Sequence, residues 1–296
     1  MPPTHPGHLS SCPSSSGLYT CQANGKWMNS QVGEILPTCE PVCGRPREPP
    51  SFTQRIFGGI RAERGNFPWQ VYFETTVCGG ALISDRWVLT SASCVEHHKT
   101  LRMFAGGTDR NVLAQWRLLE TEEIFTHPNF TRLPVGQRRS DFDNDIALIK
   151  LKRKIRMGPT ISPICLPGKH PKYMVGVDKA GYISGFGQTE NFAQSDVLMF
   201  ALVPVVEMAR CRAANLSGTT ASLTENMLCA GIEGVDSCTG DGGGVFVFDD
   251  PLGPGTYYAA GVVSWGIKCG AFGIYTKVMN YHQWIESTMA GDQGSH

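Results

Sequence analysis

The chain has 296 residues, a hydrophobic fraction of 41%, and 26 Lys+Arg against 26 Asp+Glu, for a formal net charge of zero. That length holds one domain of roughly 230–250 residues plus a short module. The balanced charge gives no support to a nucleic-acid or membrane-surface partner, and no apolar run approaches the ~20 residues that a spanning helix needs. Eleven cysteines fit an oxidising compartment. The sequons Asn129-Phe130-Thr131 and Asn215-Leu216-Ser217 point the same way, with Asn129 and Asn215 as the glycan acceptors. The start, Met1-Pro2-Pro3-Thr4-His5, has neither a basic leader nor an apolar run. With these cysteines it reads as a fragment of a secreted, extracellular protein.

In chain order, residues 1–10 are rich in Pro and His and read as a disordered or out-of-context start. Residues 11–40 hold Cys12, Cys21, Trp27 and Cys39 among turn residues, the texture of a small all-β, disulfide-dependent module. They resemble the second half of a sushi (complement control protein) module. That resemblance implies a Cys12–Cys39 bridge, leaves the partner of Cys21 upstream, and makes Trp27 the module's small core. Residues 41–55 form a Pro-rich linker that suits neither helix nor central strand. From Ile56 onward, short strands are expected at 70–73, 78–83, 87–90, 145–151, 260–265 and 273–278, separated by Gly, Pro, Asn and Asp turns. Such a pattern belongs to barrels or sandwiches rather than βαβ units. One helix is expected over 278–286, docked by Met279, Trp284 and Ile285, and a shorter one over 206–213. Residues 289–296 read as a disordered tail.

Several motifs recur in order: Arg55-Ile56-Phe57-Gly58-Gly59, Phe67-Pro68-Trp69, Cys78-Gly79-Gly80, Asp143-Asn144-Asp145-Ile146-Ala147-Leu148, Pro163-Ile164-Cys165-Leu166-Pro167, Gly240-Asp241-Gly242-Gly243-Gly244 and Ser264-Trp265-Gly266. Over residues 56–288 the chain resembles the chymotrypsin/trypsin family. It looks most like complement proteases of the mannan-binding-lectin-associated and C1r/C1s kind, and is also similar to haptoglobin, a binding protein on the same architecture. The resemblance implies an all-β fold, a double six-stranded antiparallel β-barrel of chymotrypsin type with a C-terminal helix, preceded by the partial sushi module. It also implies disulfides Cys43–Cys165, Cys78–Cys94, Cys211–Cys229 and Cys238–Cys269, leaving Cys21 single.

Acyl transfer by a serine enzyme needs a nucleophile, a base and a group that orients the base. The family's orienting carboxylate would be Asp145. Its base falls at Ser93, within Thr90-Ser91-Ala92-Ser93-Cys94, and its nucleophile at Gly242. A serine hydroxyl has no pKa near 7 and cannot serve as that base, and glycine supplies no attacking atom. Without an imidazole, Asp145 reads better as a residue that orders its loop. His97 and His98 follow Cys94 in a stretch leading outward, and Thr239 precedes the turn, so none replaces the missing groups. The resemblance further implies an oxyanion hole from the N–H groups of Gly240 and Gly242. A pocket for Arg or Lys would have Asp236 at its floor and Gly266 and Gly273 at its wall. Activation would proceed by cleavage at Arg55-Ile56, the freed amine of Ile56 pairing with Asp241.

The chain therefore reads as a secreted serine-protease homologue without catalysis, a binding or regulatory protein acting on protein partners such as complement components, or a haptoglobin-like carrier. The alternative is an active complement endopeptidase cleaving after Arg or Lys, if Ser93 and Gly242 are errors or engineered substitutions. No cofactor or metal is expected, and no acidic cluster calls for calcium.

Overall fold

The computed structural model describes residues 10–11, 20–21, 27–28, 40–50, 59–130, 141–177, 179–189, 193–215, 222–232, 240–266 and 272–291. At the amino-terminal end, Ser10–Ser11 pairs antiparallel with Glu40–Pro41 and Thr20–Cys21 with Trp27–Met28. The expected Cys12–Cys39 bridge and the rest of that module lie outside the described residues.

The first barrel is built from β1 (Gln70–Phe73), β2 (Cys78–Leu82), β3 (Trp87–Thr90), β4 (Arg102–Ala105), β5 (Arg117–Thr126) and β6 (Ala147–Leu151). Every pairing is antiparallel in the order β5-β6-β3-β2-β1-β4, and β4 closes on β5. Strand periodicity sorts the side chains. Val71, Phe73, Ala147, Ile149 and Leu151 fill the barrel interior. Their opposite-phase neighbours Tyr72, Ile146 and Leu148 face a seam shared with Phe186, Phe200, Val245, Val247 and Tyr257 of the second half. Both faces are thus buried, which is why β6 reads as an apolar run broken only by Lys150, whose amine reaches Glu122.

The second barrel comprises β7 (Ala180–Gly185), β8 (Met199–Val206), β9 (Met227–Ala230), β10 (Val245–Asp249), β11 (Tyr257–Trp265) and β12 (Gly273–Lys277). Its order is β7-β10-β11-β12-β9-β8, closed by β7 against β8, with the short strand Ile60–Arg61 added at the edge of β8. Phe246, Phe248, Tyr258, Val263 and Tyr275 pack inside. This is the chymotrypsin-like double barrel.

Helix α1 (Met208–Asn215) is tied to β9 by Cys211–Cys229. A 3-10 turn at Val278–Tyr281 leads into α2 (His282–Gly291). Two expectations need correction here. Val278, Tyr281 and Ile285 form the buried stripe, while Met279 is only half-buried. The helix also continues to Gly291, past the expected end of order at 288, because Met289 packs on the seam. The linker has no regular structure over 42–50, yet it is strapped down. Cys43 bridges Cys165, the Gly44 N–H donates to Pro163 O at 2.7 Å, and the Tyr257 N–H donates to Gly44 O at 2.7 Å.

Candidate active site

The turn carrying Gly240, Asp241, Gly242, Gly243 and Gly244 enters β10 and is pinned from both barrels. The Gly79 N–H of β2 donates to Gly242 O at 2.8 Å, and the Gly243 N–H donates to Val263 O of β11 at 2.8 Å. Gly240 has φ +102 and Gly243 φ +78, a region that L side chains rarely occupy. A Cβ on Gly243 would also collide with Thr90 Oγ1. Gly242 differs. Its φ lies outside the left-handed region, and an added Cβ would meet Cys94 Sγ at 3.3 Å and Cys78 Sγ at 3.8 Å, beside the Cys78–Cys94 bridge. Only a few tenths of an ångström of adjustment separates this position from one that carries a side chain. Among the described residues, neither the Gly240 nor the Gly242 N–H has an intramolecular acceptor. Both N–H groups belong to the turn where an attacking side chain would begin.

Ser93 and Asp145 come together across 52 residues of sequence. The Ser93 N–H donates to Asp145 Oδ1 at 2.7 Å, and its Oγ donates to Oδ2 at 2.9 Å. Ser264 Oγ of β11 donates to the same Oδ2 at 2.6 Å, and Thr276 Oγ1 of β12 donates to the Asp145 carbonyl at 2.8 Å. Asp145 is fully buried, and three hydrogen bonds from Ser93 and Ser264 satisfy its carboxylate without an imidazole. The carboxylate also belongs to a clamp. Thr224 Oγ1 and Asn226 Nδ2 donate to Asp143 Oδ1, and Tyr281 Oη donates to Asn144 Oδ1 at 3.1 Å. Three consecutive side chains after β5 thus each bond the second half of the molecule. Burial, then the charges of Asp143 and Asp145, push the Tyr281 phenol well above its ordinary range, which keeps it a donor.

His97 and His98 lie in the turn after Cys94. His97 Nε2 faces Glu96 at 3.7 Å, and the His98 N–H donates to Val95 O. Asp241 Oδ1 accepts from the Gly187 N–H at 2.8 Å. Its carboxyl fills the space where a Cβ on Gly185 or Gly187 would stand. Gly266 is exposed, and a Cβ there would touch only Phe272 O, at 3.6 Å, while Gly273 is buried in the β9–β12 ladder opposite Ala230. The ring of Phe142 stacks on Trp265 at 5.6 Å. Asn129 is exposed, and Asn215 ends α1. Arg55, Ile56, Asp236, Thr239, Cys238 and Cys269 lie outside the described residues.

A family model described as Trypsin matches residues 56–285. The chain belongs to the trypsin family. It is 46% identical over 286 residues to a complement C1s-1 subcomponent of Mus musculus, covering 94% of this chain and 42% of that relative. It is likewise 46% identical over 281 residues to a calcium-dependent serine proteinase of Mesocricetus auratus, covering 92% and 40%. A complement C1r-A subcomponent of Mus musculus is 38% identical over 292 residues, covering 94% and 40%. The chain thus spans about two-fifths of the length of these relatives.

Within this trypsin-family frame, the sequence brought Ser93, Asp145 and Gly242 to notice, and the structure adds what their spacing does not display. Ser264 appears in the sequence only as the start of Ser264-Trp265-Gly266, yet its hydroxyl is the shortest donor to the buried carboxylate. Ser91 Oγ lies 3.3 Å from Ser93 Oγ and extends the hydroxyl cluster. Ser184 Oγ of β7 donates to Gln70 Oε1 of β1 at 2.9 Å, a buried bond across the seam close behind the glycine turn. A short polar residue inside an otherwise apolar strand was the available signal at Ser264 and Ser184.

Proposed function

We propose that this chain is a secreted, catalytically inactive relative of the complement serine proteases that recognises protein partners without cleaving them. The observation that carries this reading is the Ser93–Asp145 pair. The position expected to hold the base bears a hydroxyl already donated to the carboxylate, and the position expected to hold the nucleophile has no side chain. Neither proton abstraction nor covalent attack has an agent. The Gly240 and Gly242 N–H groups would donate to a carbonyl or carboxylate oxygen held non-covalently. Asp236, Gly266 and Gly273 would receive a basic side chain, with Ile56 and Asp241 ordering the pocket after cleavage at Arg55. The partial sushi module of residues 11–40, the Cys12–Cys39 and Cys238–Cys269 bridges and glycans at Asn129 and Asn215 complete the proposal. The partners are proteins, complement components among them, by analogy with the relatives named above. Protein cleaved after Arg55 is expected to hydrolyse Arg and Lys esters no faster than a blank and to resist labelling by an active-serine phosphonate. Stoichiometric labelling would sink the reading.

A second reading, an active endopeptidase cleaving after Arg or Lys, draws support from one observation. Gly242 has both the backbone conformation and nearly the space for a side chain beside Cys94 Sγ, and Asp145 is in place. It requires His at position 93 and Ser at position 242 in the natural gene, and sequencing the source transcript decides it.

A further inference from the structure

Lys152, Arg153, Lys154 and Arg156 put four cations into five consecutive positions, and all four are exposed. The intervening Ile155 is buried at 6% exposure and anchors the run from beneath. The backbone is held at both ends: the Lys152 N–H donates to Glu120 O at 2.9 Å, and the Ile155 N–H donates to Asp85 O at 2.8 Å. These side chains therefore project from a fixed frame and do not sit on a wandering loop. Four acids lie nearby: Asp85, Glu120 and Glu122 are engaged, and exposed Glu123 lies opposite Lys150 on β5. Glu122 is consumed by Lys150 and Arg86, both at 2.6 Å. Lys154 faces Asp85 at 3.2 Å and Lys152 faces Glu120 at 3.8 Å, both across exposed surface, where such pairs contribute little. Arg153 and Arg156 have no acidic partner among the described residues. In a chain of zero net charge, this is a local surplus.

Its position separates it from the candidate active site. Strand β6 begins two residues after Asp145 and ends at Leu151, directly before the run, so five residues at about 3.3 Å each put roughly 17 Å of strand between them. The surroundings also select the ligand. Protein interfaces centre on aromatic anchors beside Arg, and no aromatic side chain is among the large apolar residues left exposed in the described chain. Of the large apolar side chains left exposed, only Leu118 lies on the adjoining strand, two residues from Glu120. Recognition here rests on charge and on the forked donors of two unpaired guanidinium groups, which match tetrahedral oxyanions.

We propose that Lys152, Arg153, Lys154 and Arg156 form a binding surface for a linear sulfated polysaccharide, independent of the cleft. The proposed secretion supplies only the setting in which the two would meet. Binding should weaken steeply with salt, as interactions between exposed charges do.

The test uses the full chain and a defined heparin-derived oligosaccharide, its chemically desulfated counterpart, and polyglutamate. At 0.15 M salt the sulfated probe should bind and the desulfated one should not. Arg153→Glu/Arg156→Glu should weaken binding at least about tenfold, since each charge near a polyanionic surface contributes on the order of a further several-fold. Lys169→Glu/Lys172→Glu makes the same charge change in another exposed loop and should alter binding less than about twofold. Arg153→Gln/Arg156→Gln, a milder pair, should fall between wild type and the reversal. Equal losses in the two charge-reversal variants, or no binding at 0.15 M salt, would overturn the proposal. So would polyglutamate binding as tightly as the sulfated probe, which would point to an acidic protein segment instead.

Discussion

Asp145 is held without an imidazole by donors from three separate elements: Ser93 after β3 and Ser264 in β11 bond its carboxylate, and Thr276 in β12 bonds its main-chain carbonyl. Two of these contacts span 119 and 131 residues, which explains why the motif around Asp145 reveals the carboxylate but not its partners. The positions 93 and 242 were legible for the opposite reason, because each sits inside a motif whose other members are intact. Removing the carboxylate should strand the Ser93 N–H, at a cost of about 1–3 kcal/mol. Asp145→Ala is therefore expected to lower the denaturation midpoint, measurable in urea, and more than Asp141→Ala at an exposed neighbouring position. Space at Gly242 leads to a second prediction. Ser93→His with Gly242→Ser should yield slow but measurable hydrolysis of an Arg ester, whereas either change alone should yield none. A silent double variant would mean that the surrounding geometry no longer supports acyl transfer.

Helix α2 shows how packing decides an element's role. Together with the 3-10 turn before it, it buries a stripe of Val278, Tyr281 and Ile285, spaced by three and four residues, and Tyr281 and Trp284 close over the His127 ring at 5.0 and 5.1 Å. Burial lowers the His127 pKa, partly offset by Asp143. The folded chain thus holds that proton less tightly than the unfolded chain. The associated stability is fully present above the ordinary imidazole value of 6.5 and erodes as pH falls through the lower folded value. His127→Gln should flatten the decline in thermal midpoint between about pH 7 and 5; an unchanged slope would assign the decline to other groups. The strands divide along similar lines. Mainly apolar strands such as β1, β3 and β6 announce themselves, because they are buried on both faces. By contrast, β5 reads Arg-Leu-Leu-Glu-Thr-Glu-Glu-Ile-Phe-Thr, and β8 contains Pro204, which pairs opposite Ala180. Their place in the barrels comes from closure, a long-range property that no local pattern carries.

At the scale of the whole molecule, two closed barrels meet along one apolar seam, and the glycine turn of the candidate site is bonded to both of them. The strap at 42–50 fixes the amino-terminal side through Cys43–Cys165 and the Gly44–Tyr257 backbone bond, so cleavage after Arg55 would leave both pieces joined. Such an architecture can order a pocket without performing chemistry in it. Asp241 already faces inward toward Gly185 and Gly187, the side from which the freed Ile56 amine would approach in a trypsin-family protein. If that pair forms, benzamidine should bind the cleaved chain reversibly and the uncleaved chain more weakly, with Asp236 meeting the amidinium. Truncating one partner of a buried charged pair costs about 2–5 kcal/mol, so Asp236→Ala should lose most of the binding. Asp145→Ala should lose little, because its carboxylate answers to Ser93 and Ser264 and not to the pocket. Calorimetric titration of both forms settles the matter. Heat of binding in the cleaved form that disappears with Asp236→Ala would establish a recognition pocket for basic side chains. No heat at millimolar benzamidine would close that pocket and leave the outer surfaces to carry recognition.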